Sequence, residues 1–309
     1  MKKKRILVVL GGKSKERNVS LSSGKACYEA IKRLGYKVEK FDTANKYIDE
    51  IDKSKIDIIF NALHGKDGED GVAQSYFEYL KIPYTHSGVV SSINAMDKNL
   101  SKEIFKKNKI LSPNYIMVKK ENYQDPLILY LIKKNRLNFP VVVKPTNEGS
   151  SIGVKICKNI KNLKDEIKKL FKNYNNLILE TYISGQEVQV AVMNGKALGA
   201  IELKPKRDFY DYKAKYLKSA KTVHLMPANI SKNNYKKILG IAEKVHKLFK
   251  CRGVTRSDFK FFKNKFYLFE INTQPGMTNL SLVPEIAKFK GISFDKLVHK
   301  ILLDASINK

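Results

Sequence analysis

Four side chains near the C-terminal end, Arg256, Asp258, Glu270 and Asn272, have the types and spacing to hold a hard cation against an anionic group. They lie in TRSDFKFFKNKFYLFEINTQPGMTNLSLVP, where two runs rich in Phe, Tyr, Leu and Ile flank Lys-Asn-Lys and predict a β-hairpin. Side chains alternate along a strand, so Arg256 and Asp258 share one face, as do Glu270 and Asn272. A three-residue loop at Lys263–Lys265 pairs Phe262 with Phe266 and sets Asp258 opposite Glu270. A two-residue loop would send the carboxylates to opposite faces. Two carboxylates and an amide oxygen suit Mg2+ better than zinc, and Mg2+ in such a half-cage implies nucleotide phosphates as the remaining ligands. Solvated acids on a half-exposed hairpin are the alternative that the pattern alone leaves open.

The elements that must carry this hairpin belong to a chain of 309 residues, long enough for two or three domains with cores of their own. A 43% hydrophobic composition in regular segments marks it as globular rather than disordered. MKKKRILVVLGG begins like a secretory leader, but the apolar run Ile6–Leu10 is too short for one. No segment approaches the length of a membrane span. Cys27, Cys157 and Cys251 are widely spaced and odd in number, which fits a reducing cytoplasm rather than a disulfide framework or metal knuckle. The formal charge of +29 would attract nucleic acid or an anionic membrane. Its lysines are dispersed, however, with no basic block interleaved with aromatics, so they read as a solvated surface that also draws in anionic nucleotides. A basic nucleic-acid-binding protein is kept as the rival from another class.

RILVVLGG predicts a buried strand entering a glycine turn, and NVSLSSGKACYEAIKRLG has helical spacing. The same pattern recurs in IDIIFNALHGKDGEDG followed by VAQSYFEYLKI, which predicts a parallel sheet with crossovers. Ligands of such sheets sit at strand carboxyl ends, where Gly11–Glu16 and Ala62–Gly71 fall. No full GxGxxG is present, so a dinucleotide fold is not supported. Read alone, Glu16 is a helix-start acid, His64 a turn residue and Lys98 a surface lysine.

Farther on, LNFPVVVKPTNEGSSIGV predicts a strand, Val141–Val143, running into Lys144 and a Gly/Ser loop whose backbone N–H groups could cradle phosphate. It lacks the GK[ST] ending of a Walker A loop. A strand Leu177–Glu180 and a hairpin turning at Asn194-Gly195 follow. KPKRDFYDYKAKYLKSAKTVHLMP is long, polar and aperiodic, the character of a lid. A helix Tyr235–Phe249 and an amphipathic helical tail close the chain.

EINTQPGMTNLSLVP preceded by TRSD, together with GGKSKERNVSLSSG, ALHGKDGEDG, KPTNEGSSIG and FYDYKAKY in that order, resembles the D-alanine–D-alanine ligases of the ATP-grasp superfamily. The resemblance runs from Gly11 to Pro284. It implies an α/β and α+β multidomain protein with an ATP-grasp fold and an N-terminal Rossmann-like parallel-sheet domain. The boundaries expected are 1–95 for the substrate domain, 96–184 for the central ATP-grasp part and 185–309 for the C-terminal part with metal site and lid. The implied activity is ATP-dependent ligation of two D-alanine molecules through an acyl phosphate, giving ADP and phosphate, for peptidoglycan precursor synthesis.

By that resemblance Glu16 holds the ammonium of the first D-alanine, with His64 nearby. Tyr216 and Ser150 hydrogen-bond to Glu16, linking lid, phosphate loop and substrate domain. Lys98, Lys144, Glu148 and Ser151 attend the ATP phosphates. Glu180, Thr181, Tyr182 and Ile183 serve adenine, and Glu187 serves the ribose. Relatives often carry Lys and Trp where Thr181 and Tyr182 stand; recognition through the backbone survives that change. Asp258, Glu270 and Asn272 are implied ligands of two Mg2+ ions, for which Mn2+ can substitute. Arg256 and the Gly276 N–H are the implied oxyanion donors. Ser281 and Leu282 meet the second D-alanine's carboxylate, and Lys215 faces phosphate or that carboxylate. A Phe at the position of Tyr216 accompanies hydroxy-acid acceptors, so Tyr216 favours D-alanine over D-lactate. The resemblance further implies a cytoplasmic homodimer with no obligatory nucleic acid or membrane partner. A D-alanine–D-lactate ligase or another ATP-grasp carboxylate–amine ligase is the nearest alternative.

Overall fold

A computed structural model describes residues 4–205, 222–278 and 280–307. Three sheets organise them. The first is parallel, in the order β2-β1-β3, built from β1 (Arg5–Leu10), β2 (Lys37–Asp42) and β3 (Ile58–Asn61). Helix α1 (Arg17–Arg33) crosses from β1 to β2, and helix α2 (Val72–Leu80) crosses from β3 to Tyr84, which bridges Ile59 in parallel. β1 is apolar on both faces because both are covered. Ile6, Val8 and Leu10 enter one core, and Leu7 and Val9 enter another beside Phe77 and Tyr84.

After α3 (Val89–Met96), the Asp97 carboxylate caps α4 (Lys98–Lys107) by accepting from the N–H groups of Asn99 and Leu100. The second sheet is antiparallel, in the order β4-β7-β5-β6, from β4 (Tyr115–Lys119), β5 (Val141–Pro145), β6 (Lys155–Cys157) and β7 (Asn176–Thr181). Helices α5 (Leu127–Lys134) and α6 (Ile160–Leu170) cover it through a core that includes Ile128, Ile132, Leu163 and Ile167.

The third sheet is antiparallel, in the order β10-β9-β8-β11-β12. Its strands are β8 (Gln186–Met193), β9 (Lys196–Lys204), β10 (Val223–Leu225), β11 (Val254–Phe262) and β12 (Lys265–Asn272). α7 (Lys232–Leu248), capped by Ser231, packs on one face, beginning earlier than the Tyr235 expected from spacing. On the other face α8 (Leu282–Phe289) and α9 (Phe294–Leu303) share a core with β1, so the N-terminal lobe and the third sheet are joined. Gly291, at φ +72°, breaks the expected helical tail into these two helices.

The hairpin's register corrects one expectation. The turn between β11 and β12 has two residues, Lys263 and Asn264, both left-handed at φ 46° and 59°, and it pairs Phe262 with Lys265 rather than with Phe266. Left-handed conformation at both central residues is what a type I′ hairpin turn requires. That turn alone would part the two carboxylates. A β-bulge between Asp258 and Phe259 compensates: Phe259 pairs with Leu268 and Asp258 with Glu270, leaving Phe269 as the extra residue. Asp258 and Glu270 therefore do face each other, through a shorter turn plus a bulge.

Candidate active site

The hairpin places Glu270 and Asn272 on β12 across from Asp258 and Arg256 on β11. Arg256 grips Asp258 with two bonds, Nε to Oδ1 at 2.7 Å and Nη2 to Oδ2 at 3.0 Å. Asn272 Oδ1 accepts from the Gln274 N–H at 2.9 Å. Two carboxylates and an amide present an all-oxygen set with the chemistry Mg2+ favours. Among the described residues no cluster of three or more His, Cys, Asp or Glu side chains is arranged as a metal site. Two acids and an amide fit a cation that takes its remaining ligands from phosphate oxygens.

Beside the hairpin, the loop between β5 and β6 supplies a second wall. Ser150 and Ser151 are left-handed at φ 47° and 61°, a conformation that costs non-glycine residues energy and persists only where contacts impose it. Those contacts are visible. Ser150 Oγ donates to Glu16 Oε1, and Lys98 Nζ donates to the Glu148 carbonyl. Gly149 is needed for this approach, since a Cβ there would lie 2.6 Å from Glu16 Oε2. Lys98 is buried, which excludes the surface reading.

Lys144, at the end of β5, bonds Glu180 on β7, which is 1% exposed. Lys102 on α4, fully buried, forms an ion pair with the other Glu180 oxygen at 2.9 Å. Burial would raise the Glu180 pKa, but the charges of Lys102 and Lys144 overturn that and hold it to about 2. Lys102 is itself lowered, because burial outweighs its half-share of one carboxylate.

The N-terminal lobe forms the third wall. Glu16 sits at the start of α1, buried. His64 Nδ1 is 2.7 Å from Glu69 Oε1, and Nε2 is 3.3 Å from Ser23 Oγ. Burial alone would lower the His64 pKa; the Glu69 hydrogen bond and charge, with Glu16 beyond, raise it above its ordinary value. Ser23 Oγ also accepts from the Met277 N–H at 3.1 Å. Gln274 receives a bond from Asn61 at 2.8 Å and donates to the Leu63 carbonyl, so the loop after β12 is docked onto the N-terminal lobe.

Two adjoining cavities receive most of the residues singled out from sequence. One, between the second and third sheets, is lined by Lys98, Lys144, Glu148, Ser151, Glu180, Tyr182, Ile183, Glu187, Asp258 and Glu270. The other, toward the N-terminal lobe, is lined by Glu16, His64, Lys98, Glu148, Ser150, Arg256, Glu270, Asn272 and Gly276. Three predicted residues among those described line neither. Thr181 lies in the ladder opposite Val141, its N–H bonded to the Asn114 carbonyl. Ser281 Oγ accepts from the Thr278 N–H at 2.9 Å, and a Cβ on Gly276 would lie 2.9 Å from it, so Ser281 borders the second cavity. The Leu282 side chain is buried in the core, which leaves only its backbone for a ligand. Lys215 and Tyr216 fall outside the described residues.

Sequence reasoning missed several participants. Lys102 carried a faint signal, one helical turn beyond Lys98 on α4. Glu69 follows His64 by five residues with no period to flag it. Lys260 shares a face with Asp258 and pairs with Glu187 at 3.1 Å inside the first cavity.

A cavity between two antiparallel sheets, with a phosphate-type loop over one side and opposed carboxylates on the other, defines an ATP-grasp protein. Residues 37–87 match the family model described as D-ala D-ala ligase N-terminus, and residues 104–303 match that described as D-ala D-ala ligase C-terminus. A D-alanine–D-alanine ligase of Pelagibacter ubique is 58% identical over 307 residues, covering 99% of each chain. One from Rickettsia felis is 43% identical, covering 98% of this chain and 92% of its own. Among solved structures, the D-alanine–D-alanine ligase of Bacillus anthracis superposes with a TM-score of 0.85 at 33% identity, covering 97% of both chains. A structure of the Bacillus anthracis enzyme complexed with ATP superposes with the same TM-score at 31% identity and the same coverage. The chain belongs to the D-alanine–D-alanine ligase family.

Proposed function

We propose that this chain joins two D-alanine molecules into D-alanyl-D-alanine, converting ATP to ADP and phosphate, and so supplies a peptidoglycan precursor in the cytoplasm. The observation that carries this reading is the Ser150–Glu16 contact. It brings a buried N-terminal-lobe carboxylate to the phosphate loop, beside the cavity that holds Arg256, Glu270 and Asn272. In that setting Glu16 takes the ammonium of the first D-alanine, a charge-assisted contact with His64 behind it. The bound carboxylate attacks the γ-phosphate, giving an acyl phosphate and ADP. Lys98 and Lys144 offset phosphate charge during transfer. The amine of the second D-alanine then attacks the acyl carbon, and phosphate leaves from the tetrahedral intermediate. Arg256 and the Gly276 N–H stabilise the oxyanion, and the loss of one such donor costs roughly 10²–10³ in rate. Ser281 and the Leu282 backbone serve the second carboxylate. Asp258, Glu270 and Asn272 would hold two Mg2+ ions, replaceable by Mn2+, which supply charge neutralisation at the phosphates.

In the nucleotide cavity Glu148 and Ser151 attend phosphate, Glu180 and Thr181 to Ile183 meet adenine, and Glu187 meets ribose. Residues 1–95, 96–184 and 185–309 form the working units. Tyr216 selects D-alanine over D-lactate, and Lys215 serves phosphate or the second carboxylate. Phosphate release from ATP, compared with D-alanine, L-alanine and no amino acid, tests the reading: D-alanine alone should stimulate it. Stimulation by L-alanine, or a strong preference for D-lactate as acceptor near neutral pH, would reject the assignment.

The working form is a homodimer. Val72, Tyr76 and Tyr79 lie one helical turn apart along α2, and Val90 and Ile93 stand exposed on neighbouring α3, an apolar patch of the kind that marks an interface. Tyr79→Glu is expected to convert the dimer to monomer on size-exclusion chromatography with light scattering, with the circular dichroism spectrum unchanged. An unaltered elution mass would place the interface elsewhere.

A further inference from the structure

The phosphate loop is fastened to the N-terminal lobe twice. One fastening is Ser150 on Glu16. The other lies on the outer side and ties Glu148 to two residues that the ligation chemistry leaves unassigned, Lys15 and Tyr174. Lys15 Nζ donates to Glu148 Oε1 at 2.6 Å and to the Tyr174 hydroxyl at 2.8 Å. The Tyr174 hydroxyl donates in turn to the same Glu148 oxygen at 2.8 Å. The Lys15 ammonium also stands 5.1 Å from the centroid of the Tyr174 ring. Three segments meet here: the turn before α1, the phosphate loop, and the connection from α6 to β7.

A single contact between two loops is a pivot, about which either can rotate. Two contacts from neighbouring positions, Lys15 and Glu16, to Glu148 and Ser150 fix orientation as well as distance. The Glu148 carbonyl is simultaneously bonded by Lys98, so turning this residue would carry Lys98 with it. The left-handed backbone at Ser150 and Ser151 needs such over-determination to persist.

We infer that Lys15 and Tyr174 are positioning residues that clasp the phosphate loop by its Glu148 carboxylate, holding the loop closed over the reacting groups and keeping water from the acyl phosphate. This rests on the ligase reading. Lys15 is 58% exposed and Glu148 20%, so solvent limits the clasp to an effect of a few fold. Closure acts on nucleotide retention and on the fate of the activated carboxyl, not on the intrinsic transfer step.

The test compares wild type, Lys15→Met, Tyr174→Phe and Lys15→Arg for KM, kcat and phosphate released per dipeptide formed. Lys15→Met should raise the KM for ATP about threefold to fivefold and change kcat less than twofold. It should also lift the phosphate-to-dipeptide ratio above that of wild type, a readout that a merely structural residue would not move. Tyr174→Phe should shift both quantities in the same direction by less, and Lys15→Arg should restore them. Should Lys15→Met fail to fold, Tyr174→Phe carries the same comparison. Wild-type KM and ratio in both Lys15→Met and Tyr174→Phe would overturn the clasp, as would Lys15→Arg behaving like Lys15→Met. A wild-type protein that forms no dipeptide would instead strike the ligase reading itself.

Discussion

Glu270→Gln should reduce Mg2+-dependent phosphate release about a thousandfold while leaving the fold intact, since a metal or dipole placed where phosphate charge develops contributes several kcal/mol. The substitution keeps shape and removes one negative charge. Glu270 faces Asp258 across the β11–β12 ladder, so its loss also relieves like-charge repulsion, and the thermal midpoint should hold or rise slightly. Arg256 already neutralises Asp258 through two bonds. With one carboxylate fewer in the set, the variant should need far more Mg2+ for whatever activity survives. Titrating Mg2+ against phosphate release, with unfolding followed in parallel, checks this expectation. Undiminished turnover at low Mg2+ would remove Glu270 from the metal site.

Glu180→Gln should act on stability instead. It leaves Lys102 and Lys144 facing each other in the interior without their shared counter-charge. Breaking a buried ion pair from one side typically costs about 3–5 kcal/mol. In a chain of this size that corresponds to a midpoint lowered by roughly 10 °C. The pH dependence has a definite sign. Because the folded Glu180 is held to about 2, below its ordinary value of 4.5, its stabilisation is complete above about pH 4.5. That stabilisation is lost as pH falls toward about 2. Glu180→Gln should flatten the acid limb of the stability curve in that window, and saturating ATP should recover part of the loss. Urea unfolding at pH 3 and pH 7 for both proteins measures it; equal pH dependence would deny Glu180 this role.

Much of this architecture was legible in the chain because periodicity reports burial. β1 reads as continuous apolar sequence since both of its faces are covered, and the strand–glycine–helix repeats require parallel crossovers. The spacing predicts the Asp258–Glu270 pairing through a three-residue loop, whereas the turn is one residue shorter and a bulge at Phe269 supplies the missing offset. A bulge leaves no mark on composition, and two of them with a different turn would have looked the same in sequence. Lys98 shows the opposite limit. Among so many lysines its sequence context reads as surface, yet α4 points it inward to the Glu148 carbonyl. Lys102 and the Lys15–Tyr174 clasp depend on residues distant in sequence, and pairings of that kind arise only from tertiary packing. Resemblance supplied Glu16 and Ser150, and the loop's left-handed serines account for how they meet.

In the proposed reaction the first D-alanine's carboxylate is activated by phosphoryl transfer between these lobes. D-alanine labelled with oxygen-18 in both carboxylate oxygens, turned over with unlabelled ATP, tests it most directly. The account predicts one labelled oxygen in each phosphate released and one retained in the new peptide carbonyl. Unlabelled phosphate accompanying dipeptide formation would contradict it.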